Sequence, residues 1–395
     1  MNPWRDLAGL PRACWILALA TFVNRAGTMA LSYLALYLTE MRGFSGVEAG
    51  NTASCFGLVA LVVAPLAGRL SDRVGARIVM LGSLLSGGLA FLLFPLAQRP
   101  WELVAMTALL ALCSEPFRPV CLAYVSDAVA IESRPRAFLL LRLAINLGLS
   151  VGPLLGGVLV EFGYDWLFLV NGATALAACG LSLQLPDVRH AALPAEQTRD
   201  VGSVLRDGPF LRVLLGCYLA AFVLFQHGPA MSLFMVRDLG LPKWHYGATY
   251  LVNTLLIVLV EVRLNVAMAH WRPGRVLALG ALLQAIGFGA NAFCHDTRSI
   301  LLVVPIWTFG EMILLPTLSN VVADLAPKHR TGVYMGLYST SFSLAYATAP
   351  AAGVWLLERH GSTALWLAVA AIGLVPVWLL AGQSSATRRP SRADT

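Results

Sequence analysis

Arg25, Glu115, Arg118, Gln226, His227 and Glu311 stand near the middle of long apolar runs. A charge at the centre of a bilayer costs about 2.5–3.5 kcal/mol on insertion scales, so such residues face a cavity or a partner and mark function. Glu115 and Glu311 can exchange a proton, because burial favours the neutral carboxyl and a neighbouring arginine favours the carboxylate. A ligand arriving beside the same carboxylate would shift that balance, which is a direct route to coupling. Arg118 follows Glu115 by three residues, so the two can share a helix face, either as a static ion pair or as part of that exchange. Arg25 can neutralise a carboxylate or bind an anionic group. His227 can relay protons near neutral pH or serve as a hydrogen-bonded packing residue. The aromatic residues Tyr33, Tyr37, Phe117, Trp307 and Tyr346 line a cavity on one reading and pack or face lipid on the other. Catalysis is not expected. The chain has no H-E-x-x-H and no C-x-x-C.

These residues need elements that hold them at depth in a membrane. The chain has 395 residues, 58% hydrophobic and 12% charged. Soluble domains carry about 25% charged residues, so this composition cannot cover a soluble surface. A hydrocarbon core about 30 Å thick takes about 20 apolar residues in helix. That ruler gives twelve spans, near 13–39, 47–69, 78–97, 101–126, 137–160, 164–186, 209–235, 245–269, 275–293, 299–323, 332–357 and 363–382. With the N-terminus inside, 18 lysines and arginines fall in inner segments, 6 in outer ones and 4 within spans. This asymmetry predicts that both termini are cytoplasmic, and it accounts for the net charge of +7 without nucleic acid. The two lysines, Lys243 and Lys328, follow no glycine, so there is no phosphate-binding G-x-x-x-x-G-K-[ST] loop to drive transport with ATP. The seven cysteines show no paired spacing. No metal or organic cofactor is implied.

The polar segment 187–208 divides the chain into halves, 1–186 and 209–395. Pro119, Asp127, Pro153, Gly156 and Glu161 match Pro316, Asp324, Pro350, Gly353 and Glu358, each pair 197 residues apart. Parallel repeats of this kind place a substrate site between two halves in many transporters.

The loop after the second span reads Gly68-Arg69-Leu70-Ser71-Asp72-Arg73-Val74-Gly75-Ala76-Arg77. It resembles the G-x-x-x-D-R-x-G-R-[RK] loop of the major facilitator superfamily, with Ala76 where a basic residue is usual. The fifth span carries Gly148, Gly152, Pro153, Gly156 and Gly157, similar to the antiporter motif g-x-x-x-G-P-x-x-G-G of that superfamily's proton-coupled exporters. The resemblance covers the whole chain. It implies an all-α membrane protein of twelve helices in two pseudo-symmetric six-helix halves, working as a monomer in the inner membrane of a bacterium. It implies a small-molecule substrate moved by alternating access, with the proton gradient as energy source. Efflux of amphipathic, drug-like compounds is favoured by the antiporter motif, and proton-coupled uptake of a peptide, sugar or organic acid is the alternative. In the family, spans one, four, seven and ten line the central cavity, and the buried charges fall on those four. The loop implies a cytoplasmic latch: Asp72 near the N-terminus of the eleventh span, Arg73 or Arg77 paired with Asp127, and Gly68 and Gly75 allowing close approach and a tight turn. The arginine that drug exporters carry before the aspartate of span four has its place here near Thr107, so its role does not pass to Arg118.

Overall fold

The computed structural model describes residues 9–130, 133–188, 207–268, 270–327 and 331–383, and among these the regular elements are helical. The helices are α1 Arg12–Gly27, α2 Met29–Ser32, α3 Leu34–Arg42, α4 Gly46–Val74, α5 Ala76–Leu93, α6 Pro100–Ser114, α7 Phe117–Ala128, α8 Arg134–Phe162 and α9 Asp165–Ser182. They continue as α10 Gly208–Leu224, α11 Pro229–Leu233, α12 Lys243–Met268, α13 Pro273–Ala290, α14 Thr297–Leu325 and α15 Thr331–Ala381. Eleven stretches are long and apolar enough to cross a membrane. The last runs from Val333 to Ala381 and folds over at Gly361, whose φ of 83° suits glycine alone, so its two arms are the eleventh and twelfth spans. Most of 187–208, expected as a linker, lies outside the described residues. Asp207 at its end caps α10, accepting hydrogen bonds from Phe210 N at 3.2 Å and Tyr334 Oη at 2.7 Å.

Helix ends recur at the repeat spacing. α1 ends at Gly27 and α10 at Leu224; α4 starts at Gly46 and α12 at Lys243. α5 covers Ala76–Leu93 and α13 Pro273–Ala290, and α6 starts at Pro100 where α14 starts at Thr297. Every one of these pairs is 197 residues apart. Even the caps correspond: Glu102 receives the backbone N–H of Arg99, and Ser299 Oγ that of Asp296.

The structure separates into two compact bodies. One holds the described residues up to 188 with Gly228–Leu255 and Pro350–Trp355; the other holds 207–227, Leu256–Ala349 and 356–383. Leu17, Met80, Leu84, Phe117, Val120 and Tyr124 sit in the core of the first. Phe210, Val213, Leu277, Leu314, Leu318 and Leu380 sit in the core of the second. Leu58, Val62, Leu66 and Leu70 form an exposed stripe at four-residue spacing along α4. Such a stripe is stable against hydrocarbon, not water.

Three spans expected as continuous helices are interrupted. The first breaks at Thr28 and Tyr33, the fourth at Glu115–Pro116, and the seventh at Phe225–Gly228. Pro116 and Pro229 offer no N–H to the preceding turn, and Gly228 takes the non-helical pair φ −78°, ψ −123°.

Candidate functional site

In the first body, Arg25 occupies the last turn of α1. Thr28 closes that turn, with its Oγ1 and its N donating to the Arg25 carbonyl at 2.7 and 3.1 Å. Beyond the break the freed N–H of Ala30 donates to Asn171 Oδ1 at 3.3 Å, so α9 supplies the partner the helix lost. The antiporter motif seats this interrupted span. A side-chain carbon at Gly148 would meet Arg25 Cβ at 2.5 Å and Ala26 N at 2.9 Å. One at Gly152 would meet Ala26 O at 2.8 Å, and one at Gly156 Met29 Cβ at 2.8 Å. Spacing by four thus lays α8 directly on the backbone around Arg25. Pro153 lies within the unbroken α8, and its carbonyl accepts from Tyr33 Oη at 2.9 Å. Gly148–Gly152 also spells G-x-S-x-G, but hydrolase chemistry needs that spacing at a strand-to-helix turn. Here it is mid-helix, and Ser150 Oγ donates to the Leu147 carbonyl at 2.8 Å.

Glu115 is half-buried at the joint between α6 and α7, its N–H donating to Ala111 O at 3.1 Å. Arg118 is exposed, and among the described residues no ion pair joins it to Glu115.

In the loop after α4, Gly75 turns the chain with φ 94°. Arg77 donates to the Leu183 carbonyl at 2.8 Å, past the C-terminus of α9. Asp72 and Arg73 are exposed. Gly68 makes no close helix approach, since a side chain there would meet nothing within 4 Å. Asp127 is in α7, but its side chain lies outside the described residues.

A second cluster in the first body escaped the sequence reading. Lys243 Nζ lies 2.6 Å from Glu40 Oε2, and Tyr164 Oη donates to the same oxygen at 3.0 Å. The ammonium also stands 4.7 Å over the Tyr164 ring. Burial, and then the Glu40 charge, push the Tyr164 phenol above its ordinary range, so it stays a donor. Tyr33 Oη donates to the Lys243 carbonyl at 3.2 Å. Gly157 and Gly247 admit the backbones of Trp244 and Pro153. Lys243, one of two lysines in the chain, was the available signal. Its partner 203 residues away was not legible.

In the second body, Gln226 and His227 sit on the short turn between α10 and α11, both buried. Gln226 Nε2 donates to Ala349 O at 3.2 Å. The His227 ring lies 4.9 Å from Trp307, and Phe225 lies 5.0 Å from Tyr346. Glu311 is half-buried in α14 between Pro305 and Pro316. The first and seventh spans therefore break at repeat-equivalent positions, after Gly27 and after Leu224.

The model of the Major Facilitator Superfamily matches residues 17–350. The chain belongs to this superfamily. Among Major Facilitator relatives, it is 27% identical to the uncharacterized MFS-type transporter YqjV of Bacillus subtilis (strain 168), over 85% of this chain and 83% of that protein. It is 24% identical to the multidrug resistance protein MdtH of Proteus mirabilis (strain HI4320), over 88% of each. The crystal structure of the nucleoside transporter NupG (D323A mutant) superposes with TM-score 0.80 at 14% identity, covering 93% of this chain and 99% of that one. That likeness establishes the shared Major Facilitator fold.

Proposed function

We propose that this chain is a proton-coupled exporter of amphipathic, drug-like compounds in a bacterial cytoplasmic membrane, with both termini inside. The observation that carries the reading is the matched interruption of the first and seventh spans, which place Arg25 and the pair Gln226–His227 at helix breaks. Broken helices in corresponding positions of two repeats mark substrate and ion sites in transporters, because irregular backbone survives in a membrane only against protein or a wet cavity. The antiporter motif packed on Arg25, and the relative MdtH, a multidrug resistance protein, support export.

On this reading Glu115 and Glu311 carry the exchangeable protons. Neither is fully buried, so each can meet both water and substrate. A cationic compound near either carboxylate favours its ionised form and releases the proton, while loss of the compound reverses this. Alternating access then carries compound and proton in opposite directions.

The test is proton movement in everted vesicles, read by a pH dye while cationic, zwitterionic and anionic compounds are added. Wild type should release protons on addition of a compound, and Glu115→Gln should not. A response retained in Glu115→Gln moves the coupling role to Glu311 or His227. Silence in wild type across the panel overturns export of this class.

A further inference from the structure

A buried polar atom in a helical bundle is destabilising when it has no partner, so orphaned groups need an explanation. Two helices of the second body carry three such atoms. Gln284 in α13 and Trp307 in α14 are each 1% exposed. Both amide atoms of Gln284, and the indole Nε1 of Trp307, have no hydrogen-bond partner among the described residues. Exchanging the amide's oxygen and nitrogen does not help, because both ends are orphaned.

The two side chains leave the same helix contact. A carbon at Gly287 would lie 2.6 Å from Trp307 N, and one at Gly310 would lie 2.7 Å from Gln284 N and 2.9 Å from its Cγ. Each orphan is therefore one turn from the glycine that seats the other's helix. Trp307 also packs its ring 5.2 Å from Phe288 and 4.9 Å from His227. Next to His227 in the chain, Gln226 Oε1 is a second buried acceptor with no partner among the described residues. The neighbourhood thus presents orphaned donors and acceptors together, where glycines let the two helix backbones close on one another.

We propose that the seam between α13 and α14 is an internal hydration site, where resident water accepts from Trp307 Nε1 and exchanges hydrogen bonds with the Gln284 amide behind His227. Enclosure at 1% exposure suits water and excludes a larger ligand. A water needs about 10–15 Å³ of probe-occupied volume and two to four polar partners. Water there brings mobile protons next to the ring that contacts His227. Any service to proton transfer rests on the coupled-transport reading, whereas the hydration itself does not.

Radiolytic hydroxyl labelling of the detergent-solubilised full chain, with mass spectrometry, tests it, because radicals form on water held beside a side chain. Trp307 should be labelled in wild type despite its burial, and Gln284→Leu should lose most of that label. The melting temperature gives a second readout. In a dry seam Gln284→Leu removes two orphaned polar atoms and raises it; in a hydrated seam it strands water and lowers it. An unlabelled Trp307 in wild type, or a stabilised Gln284→Leu, overturns the proposal. Labelling of wild type decides the matter even where the variant fails to fold. Neither measurement uses transport, so silence in the vesicle assay leaves this result standing.

Discussion

At the scale of residues, the cluster of Glu40, Tyr164 and Lys243 ranks its own interactions. The ion pair is partly exposed, with side-chain exposures of 23% for Lys243 and 37% for Glu40. Pairs so placed contribute about 0.2–1 kcal/mol and weaken with salt. The hydrogen bond from buried Tyr164 goes to a charged group and is worth about 1.5–3 kcal/mol. Tyr164→Phe should therefore lower the melting temperature more than Lys243→Gln, and its effect should survive high salt while that of Lys243→Gln shrinks. Thermal scans of both variants at low and high ionic strength check the order. Equal, salt-sensitive losses would mean that the ammonium dominates. Of the charges read from sequence, Glu115 and Arg118 do not form the ion pair that their spacing allows, among the described residues.

Elements are held by the glycines at which helices touch. Gly148 lies against Arg25 and Phe22, whereas Gly68 faces open space. Filling a tight contact costs about 1–3 kcal/mol, so Gly148→Leu should destabilise the protein by at least that much. Gly68→Ala should be neutral, or stabilise by about 0.5–1 kcal/mol through better helix propensity. Parallel melting curves test the contrast, and a harmful Gly68→Ala would restore the close approach expected of the loop motif. The cap of α14 gives a pH test. Asp296 accepts from the Ser299 hydroxyl at 2.6 Å and from its N–H at 2.8 Å. These bonds, the hydroxyl first, hold its carboxyl below the ordinary value of 3.8. A depressed folded value means that the stabilisation is complete above about pH 3.8 and is lost as pH falls through the lower one. Melting temperature plotted against pH should thus lose part of its acid decline in Asp296→Asn. An unchanged acid limb would remove the cap from the account.

Across the whole molecule, hydropathy alone revealed the number of spans, and five matched pairs revealed the duplication. The matched helix ends extend that repeat well beyond its identities, because apolar length and capping fix where a helix starts and stops even where residue types have drifted. The interruptions of the fourth and seventh spans carry a signal in Pro116 and Gly228-Pro229, whereas that of the first, at Thr28 and Tyr33, has no proline to mark it. Breaks in a span are set by what neighbouring helices offer to the freed backbone, as Asn171 does for Ala30. The partition into two bodies likewise follows contacts rather than chain order, for Gly228–Leu255 and Pro350–Trp355 group with the first.

The scarcity of lysine turns one clasp into a reporter. On the proposed topology Lys328 and the N-terminal amine face the cytoplasm, leaving Lys243 as the sole amine within reach of a membrane-impermeant acylating reagent added outside intact cells. Its nitrogen is engaged by Glu40 and covered by the Tyr164 ring. Acylation of the native, unmutated chain should therefore be slow while that grip holds, and should quicken whenever substrate or a proton gradient loosens it. The rate of a single chemical modification would then report the release of that grip, with no engineered cysteine and no fluorophore.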